Sequence, residues 1–341
     1  MDEPSANAPP RYTIRPLAVI GTVAGVLLFI YTLQTAGPAE ILRQLRQIGF
    51  GFIIVLALSA VRMGVRAMAW SLCVEDTTRF SFGQAFRAFV TGDAVGNLTP
   101  LGPLASESAK ALLSRRNIPT SDAFSSVVLE NIFYSISVAI MVMVGTLAFL
   151  LGYRPTNAAL TISLALGAFA VVSIIAVWWL LNSQPRLLSR FLTHAAVRDA
   201  EDRVFRFAAE RKERVGRILL LEFSFHAAAV LEIYFLLIVL VGLGEQTLLN
   251  ALILGTVERL ITIAFKFVPL RLGVDHIGSG SAATLLGLGA ATGITIATVR
   301  TARNLFWAAV GLMLLIGHRR STMDYFVSAA AFFARSGVIV Q

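Results

Sequence analysis

Seven stretches of this chain are apolar for long enough to cross a bilayer: 17–34, 50–73, 124–152, 158–181, 216–243, 247–268 and 294–316. At ~1.5 Å of rise per residue, a helix of roughly 20 residues spans the ~30 Å hydrocarbon layer. No water enters that layer to pair with backbone N–H and C=O groups, so only helices and closed barrels are stable across it. Continuous apolar runs without alternation select helices. The fold class expected is all-α, a polytopic transmembrane helix bundle. Composition agrees: 14% of residues are charged, whereas a soluble domain carries roughly 25%, and the mean hydropathy is +0.74.

The net charge is +9, but the basic residues lie in short loops between apolar runs. That is how cytoplasmic loops of membrane proteins retain Arg and Lys. With no nucleic-acid motif present, nucleic acid is excluded as a partner. The loop 183–215 holds Arg186, Arg190, Arg198, Arg203, Arg206, Arg211, Lys212 and Arg214, which places it on the cytoplasmic side. Leu, Phe and Val recur in it at helical spacing, as at Val204 and Phe207, so it reads either as amphipathic helix on the membrane surface or as a solvated connector. Residues 38–48 read as a shorter interfacial helix. Tracing outward puts the 153–157 and 244–246 turns outside and both termini in the cytoplasm. Residues 1–16 form a polar, Pro-rich tail, 17–316 the transmembrane domain and 317–341 a C-terminal tail. The run after the first tail lacks a small-residue cleavage site and reads as a retained helix. A multi-pass protein of the cytoplasmic membrane is expected.

Two further apolar stretches are broken. Residues 82–114 contain Asn97, Pro100, Gly102 and Pro103; residues 266–293 contain Pro269 and Gly273. Broken backbone at membrane depth is tolerated where it is buried in protein or lines a water-filled cavity, so each stretch is a candidate re-entrant segment. Pro100-Leu101 is followed by Gly102 and Glu107, and Pro269-Leu270 by Gly273 and Asp275. A long apolar helix with an internal charge, Glu130 or Arg300, follows each. The tracing brings the two breaks in from opposite faces, which predicts two inverted repeats, 17–152 and 158–316.

A charge inside a span costs about 2.5–3.5 kcal/mol on insertion scales and is a functional candidate by default. Arg62 and Arg66 are four residues apart and share a helix face; paired guanidiniums suit a phosphate. Glu107 and Glu130 are expected either to pair with them or to line a headgroup path. Glu258, Arg259, Lys266, Asp275, Arg300 and Arg303 imply a polar cavity in the second half. Glu222, near the cytoplasmic end of its span, is expected to reach water, and His226 to be a hydrogen-bonded structural residue. Glu107 and Asp275 read as helix caps or as contacts for a cationic headgroup. One cysteine, Cys73, and no Cys/His spacing leave no metal site. No HExxH, GxSxG or Walker lysine occurs, and no cofactor is expected.

The order of these features resembles the lysylphosphatidylglycerol synthase transmembrane family of flippase-like proteins. The residues that carry the likeness are VRMGVRAMAW, then FGQAFRAFVTGDAVGNLTPLGPLASESAKALL, then VPLRLGVDHIGSGS and Arg300. The chain departs from the family pattern in a stretch inserted before Glu107 and in Asp275, where the family carries Glu. The resemblance implies a stand-alone transmembrane unit without the soluble aminoacyl-transferase domain. It also implies a lipid or lipid-linked substrate and a separately encoded lipid-modifying enzyme as partner. A translocator of such an amphiphile is the leading expectation. The alternatives are a membrane-embedded transferase with Glu107, Glu130 or Asp275 as general base, and a non-catalytic scaffold.

The topology is testable. With Cys73 replaced, a cysteine introduced at position 200 should react with a permeant thiol reagent and resist an impermeant one in intact cells. Labelling from outside would reverse the whole orientation.

Overall fold

Apolar runs fold into helices wherever the ladder of backbone hydrogen bonds is uninterrupted, and the breaks fall where Gly and Pro fall. The computed structural model describes residues 27, 30, 31, 34, 37–99, 102–115, 117–184, 195–266 and 268–316. The expected span 17–34 falls almost wholly outside these, as do both tails, Pro100, Arg186 and Arg190. The described residues hold eleven α-helices and no strand: α1 Pro38–Ile48, α2 Gly51–Leu72, α3 Phe82–Leu98, α4 Gly102–Ser114, α5 Thr120–Gly152, α6 Asn157–Ser183, α7 Ala195–Glu210, α8 Lys212–Val241, α9 Thr247–Ala264, α10 Val274–Leu285 and α11 Ala290–Ile316. A 3₁₀ turn, Pro269–Arg271, lies between α9 and α10.

Five of these helices, α2, α5, α6, α8 and α9, are long and apolar enough to cross a membrane. Helix α11 has the length, 27 residues, but Arg300, Arg303 and Asn304 dilute its apolar content. Helix α6 is the most lipid-like: it packs mainly on α5 and leaves Phe169, Val172, Ile175 and Trp178 exposed. The chain is a multi-pass membrane protein.

Both broken stretches are broken as expected. Ser81 and Gln84 start α3 with reciprocal bonds: the Ser81 N–H donates to the Gln84 side chain at 2.8 Å and the Gln84 N–H to Ser81 Oγ, a capping box. The helix stops at Leu98 and resumes as α4 at Gly102. The second break is sharper. Leu270 and Arg271 both adopt left-handed backbone, with φ of 51° and 52°, a conformation that costs a side-chain-bearing residue about 1–3 kcal/mol. Gly273 follows at φ 80°. The three helices around each break pair off in length: α3, α4 and α5 have 17, 13 and 33 residues, and α9, α10 and α11 have 18, 12 and 27. Their packing crosses over. Helix α3 lies on α11, and α9 lies on α5.

The two amphipathic helices bury their apolar faces in the protein. The apolar face of α7, with Val204, Phe205 and Phe207, is buried against the protein rather than turned to lipid; Phe207 and Val204 join the cluster around Trp70 and Phe133. Arg203 pins it to Glu75 at 2.9 Å and to Asp122. The expected loop 183–215 is therefore shorter than predicted, because Lys212 already begins α8. Helix α1 buries Ile41, Gln44 and Ile48, and Gln44 accepts a hydrogen bond from Thr295 of α11 at 2.6 Å.

Helix α11 can approach α10 only because residue 293 lacks a side chain. A Cβ there would stand 2.0 Å from the Ser279 carbonyl oxygen, and backbone cannot swing aside as a flexible side chain can. Gly293→Ala should therefore lower stability by about 1–3 kcal/mol, measurable as a fall in the thermal midpoint of the detergent-purified protein. An unchanged midpoint would mean that the α10–α11 contact is looser than described.

Candidate functional site

Helix α2 carries Arg62 and Arg66 one turn apart, and the two find different partners. Arg62 donates through Nη1 to Glu232 of α8 at 3.0 Å. The other oxygen of Glu232 accepts from Arg303 of α11. One carboxylate, 1% exposed, thus joins three helices and is shared by two guanidiniums. A buried pair that loses one partner typically costs about 3–5 kcal/mol, because the remaining charge is stranded in low dielectric.

Arg66 donates from both Nε and Nη2 to Glu130 of α5, from Nε at 2.8 Å. Its guanidinium lies 3.9 Å over the Tyr134 ring. Glu222 of α8 stands 3.9 Å from its Nε. The expectation that Glu222 reaches water is wrong: its position, three turns into α8, faces the bundle and is fully buried. His226, one turn on, shares a hydrogen bond with Ser137 at 3.0 Å.

Adjacent Glu258 and Arg259 point apart, as their ~100° separation on a helix requires. Glu258 pairs with Arg300. Arg259 donates to the Tyr134 hydroxyl at 2.9 Å, and among the described residues no carboxylate lies within ion-pair distance of it. Phe225 sits at the centre of the cluster. The guanidiniums of Arg62, Arg66 and Arg259 lie 4.8, 5.4 and 5.1 Å from its ring centroid, close enough for its π face to attract each one.

The acids after the breaks are not caps. Glu107 is in the second turn of α4 and takes Lys110 at 3.1 Å instead of Arg62 or Arg66. Asp275 is in the first turn of α10, where no side chain caps the helix; it accepts from Arg271 at 3.2 Å. The left-handed turn at Leu270–Arg271 places that guanidinium one turn before its acid. The breaks themselves touch: a Cβ on Gly102 would lie 2.6 Å from the Lys266 carbonyl oxygen, so only glycine fits where α4 begins.

A cavity of about 210 Å³ opens in front of these groups. Its wall comes from α2, α3, α4, α5, α8, α9, the 3₁₀ turn and α11 and includes Arg62, Arg66, Asn97, Gly102, Glu107, Glu258, Arg259 and Arg303. Of the sequence candidates, Glu130, Asp275, Gly273 and Arg300 do not line it; Glu130 stands behind Arg66, Asp275 beside Arg271 and Arg300 behind Glu258. Seven basic residues reach the wall against three acidic ones, Asp93, Glu107 and Glu258. The balancing acids Glu130, Glu222 and Glu232 are set back from it, so the cavity presents positive charge and N–H donors. Lys266 makes no ion pair among the described residues and, with Arg259, is open to an anion.

Several of these residues escaped the sequence reading. Glu232 is an acid in the middle of an apolar span, the same signal that singled out Glu130. Asp93 lies in the arm before the first break; its carboxylate accepts from Asn97 at 2.8 Å. Tyr134 and Phe225 carry no signal that separates them from lipid-facing aromatics.

The Glu232 bridge is the testable core of the site. Glu232→Gln keeps the shape and removes the charge that two arginines share. Stability should fall by about 3–5 kcal/mol, read as a lower thermal midpoint. Adding Arg303→Met should recover part of the loss, giving a coupling energy that independent sites would not show.

No curated protein and no solved structure matches the chain. The family described as "Lysylphosphatidylglycerol synthase TM region" matches residues 17–311, a stretch that contains both breaks and every charge of the cavity. The chain belongs to that family.

Proposed function

We propose that this protein binds a lipid or lipid-linked amphiphile and moves it across the membrane, its anionic headgroup held in the cavity between the two breaks. The observation that carries the reading is the cavity itself: basic, walled by both halves of the chain and bounded by apolar helices. A lipid phosphate would meet Arg259 and Lys266, which have no carboxylate to give up, while Arg62, Arg66 and Arg303 would add hydrogen bonds without leaving their partners. Helix α4 begins at the cavity wall, where Gly102 lies, and a helix N-terminus favours anions. The crossed packing of α3 on α11 and α9 on α5 supports an inverted repeat. In such a repeat the two halves exchange roles as access shifts from one side to the other.

Purified protein in liposomes that contain a trace of fluorescent anionic phospholipid tests this. Addition of a membrane-impermeant quencher should bleach the inner-leaflet fraction as well as the outer one. The double variant Arg259→Met, Lys266→Met should slow that exchange about tenfold or more, since a hydrogen bond to a charged group contributes roughly 1.5–3 kcal/mol and 1.4 kcal/mol is a factor of ~10. Exchange no faster than in protein-free liposomes would remove the transport reading. A new lipid species in the extract would support the transferase instead.

A further inference from the structure

Arg66 is one guanidinium with two acids. Glu130 holds it with two hydrogen bonds to a single oxygen. Glu222 approaches at 3.9 Å, beyond hydrogen-bond distance, and neither of its oxygens has a hydrogen-bond partner. It is also fully buried. An ionised carboxylate in such a place, with no N–H aimed at it and its one cation already engaged, is strongly disfavoured; adding a proton removes the penalty.

Among the described residues one cation lies within ion-pair distance of Glu222, Arg66, and Glu130 already holds it. Glu222 lies on α8. The charges that reach it from the helices around it are Arg66 of α2, Glu130 of α5, Lys110 of α4 and Arg259 of α9. Lys110 already pairs with Glu107. Cys73, just past the end of α2, is also near, and on α8 itself His226 is one turn away, tied to Ser137. Arg259 donates to the Tyr134 hydroxyl and lies beyond ion-pair distance of Glu222, so the two carboxylates that meet at Arg66 balance its single charge only with one proton. Arg66 is also the group through which these acids meet the cavity, since it lines the wall and they do not.

We propose that Glu130 and Glu222 form a proton-binding site around Arg66, and that this proton is the coupling ion for the cavity in front of it. With the proton on Glu222, Arg66 is committed to Glu130. With the proton gone, two carboxylates compete for the same guanidinium and draw it back from the cavity wall, which weakens the site for an anion. Proton occupancy and headgroup occupancy then favour each other. The coupling rests on the transport reading above; the shared proton does not.

Two measurements test the pair separately. Infrared difference spectra of the protein in zwitterionic-lipid nanodiscs should show a protonated carboxylic acid that titrates as pH is raised. Glu222→Gln should abolish the signal. Glu130→Gln should abolish it as well, because the remaining Glu222 then has Arg66 to itself and ionises. A signal that survives Glu130→Gln would mean a glutamic acid neutral through burial alone, and the shared site would be overturned; so would its absence from the wild type. In liposomes, a pH difference of one unit should bias the steady-state distribution of the fluorescent anionic lipid about tenfold per proton, and Glu222→Gln should lose the bias. Wild-type exchange indifferent to the gradient would overturn the coupling. No exchange at all, with the infrared signal intact, would count against the transport reading and leave the shared proton standing.

Discussion

Charge burial governs this structure. Arginines and glutamates sit in helices that are otherwise apolar, and most are held there by a partner from another helix. The Glu232 carboxylate between Arg62 and Arg303 is the clearest case. It ties α2, α8 and α11 at a depth where the hydrophobic effect contributes nothing to helix association, since lipid is as apolar as leucine. Arg66 with Glu130 joins α2 to α5, and Arg300 with Glu258 joins α11 to α9. The bundle's polar interior is thus both its adhesive and its candidate binding site. The aromatic rings add to both roles. Phe225 stands among three guanidiniums that would otherwise repel one another, and Tyr134 stacks under Arg66 while accepting from Arg259.

The geometry divides the charged residues into two ranks. Glu130 and Glu232 are set back, holding arginines in place, and Glu222 stands behind Arg66. Arg62, Arg66, Arg259, Lys266 and Arg303 stand forward at the cavity wall. A preorganised array of donors loses little entropy when an anion arrives. It also discriminates, because an uncharged headgroup would leave those donors short of acceptors.

Much of this was legible in the sequence, and the reason is physical. A transmembrane helix announces itself by length and apolarity, so the spans within the described residues, the two breaks and the interior charges could all be read from residue type alone. Partner choice could not. Nothing local says that Arg62 reaches Glu232, 170 residues away, rather than Glu130, or that Glu107 turns to Lys110 within its own helix. Those outcomes depend on which helix faces pack together. The same limit applies to α7. Its apolar stripe predicted an amphipathic helix, but whether that stripe meets lipid or protein is decided by the cluster around Trp70, which no window along the chain contains.

The shared carboxylate at Glu232 has a consequence for how relatives of this chain can drift. A change at Arg62 alone leaves Arg303 a whole carboxylate to itself, and a change at Glu232 strands two cations at once. Only the second strands charge in low dielectric, because the first leaves one cation to one anion. Positions 62 and 303 are therefore bound to the fate of position 232, across three separate helices. In any lineage where Glu232 is lost, the two arginines should be replaced soon after. The three should then disappear from descendants as a set, leaving a joint signature in sequences that have otherwise diverged beyond easy comparison.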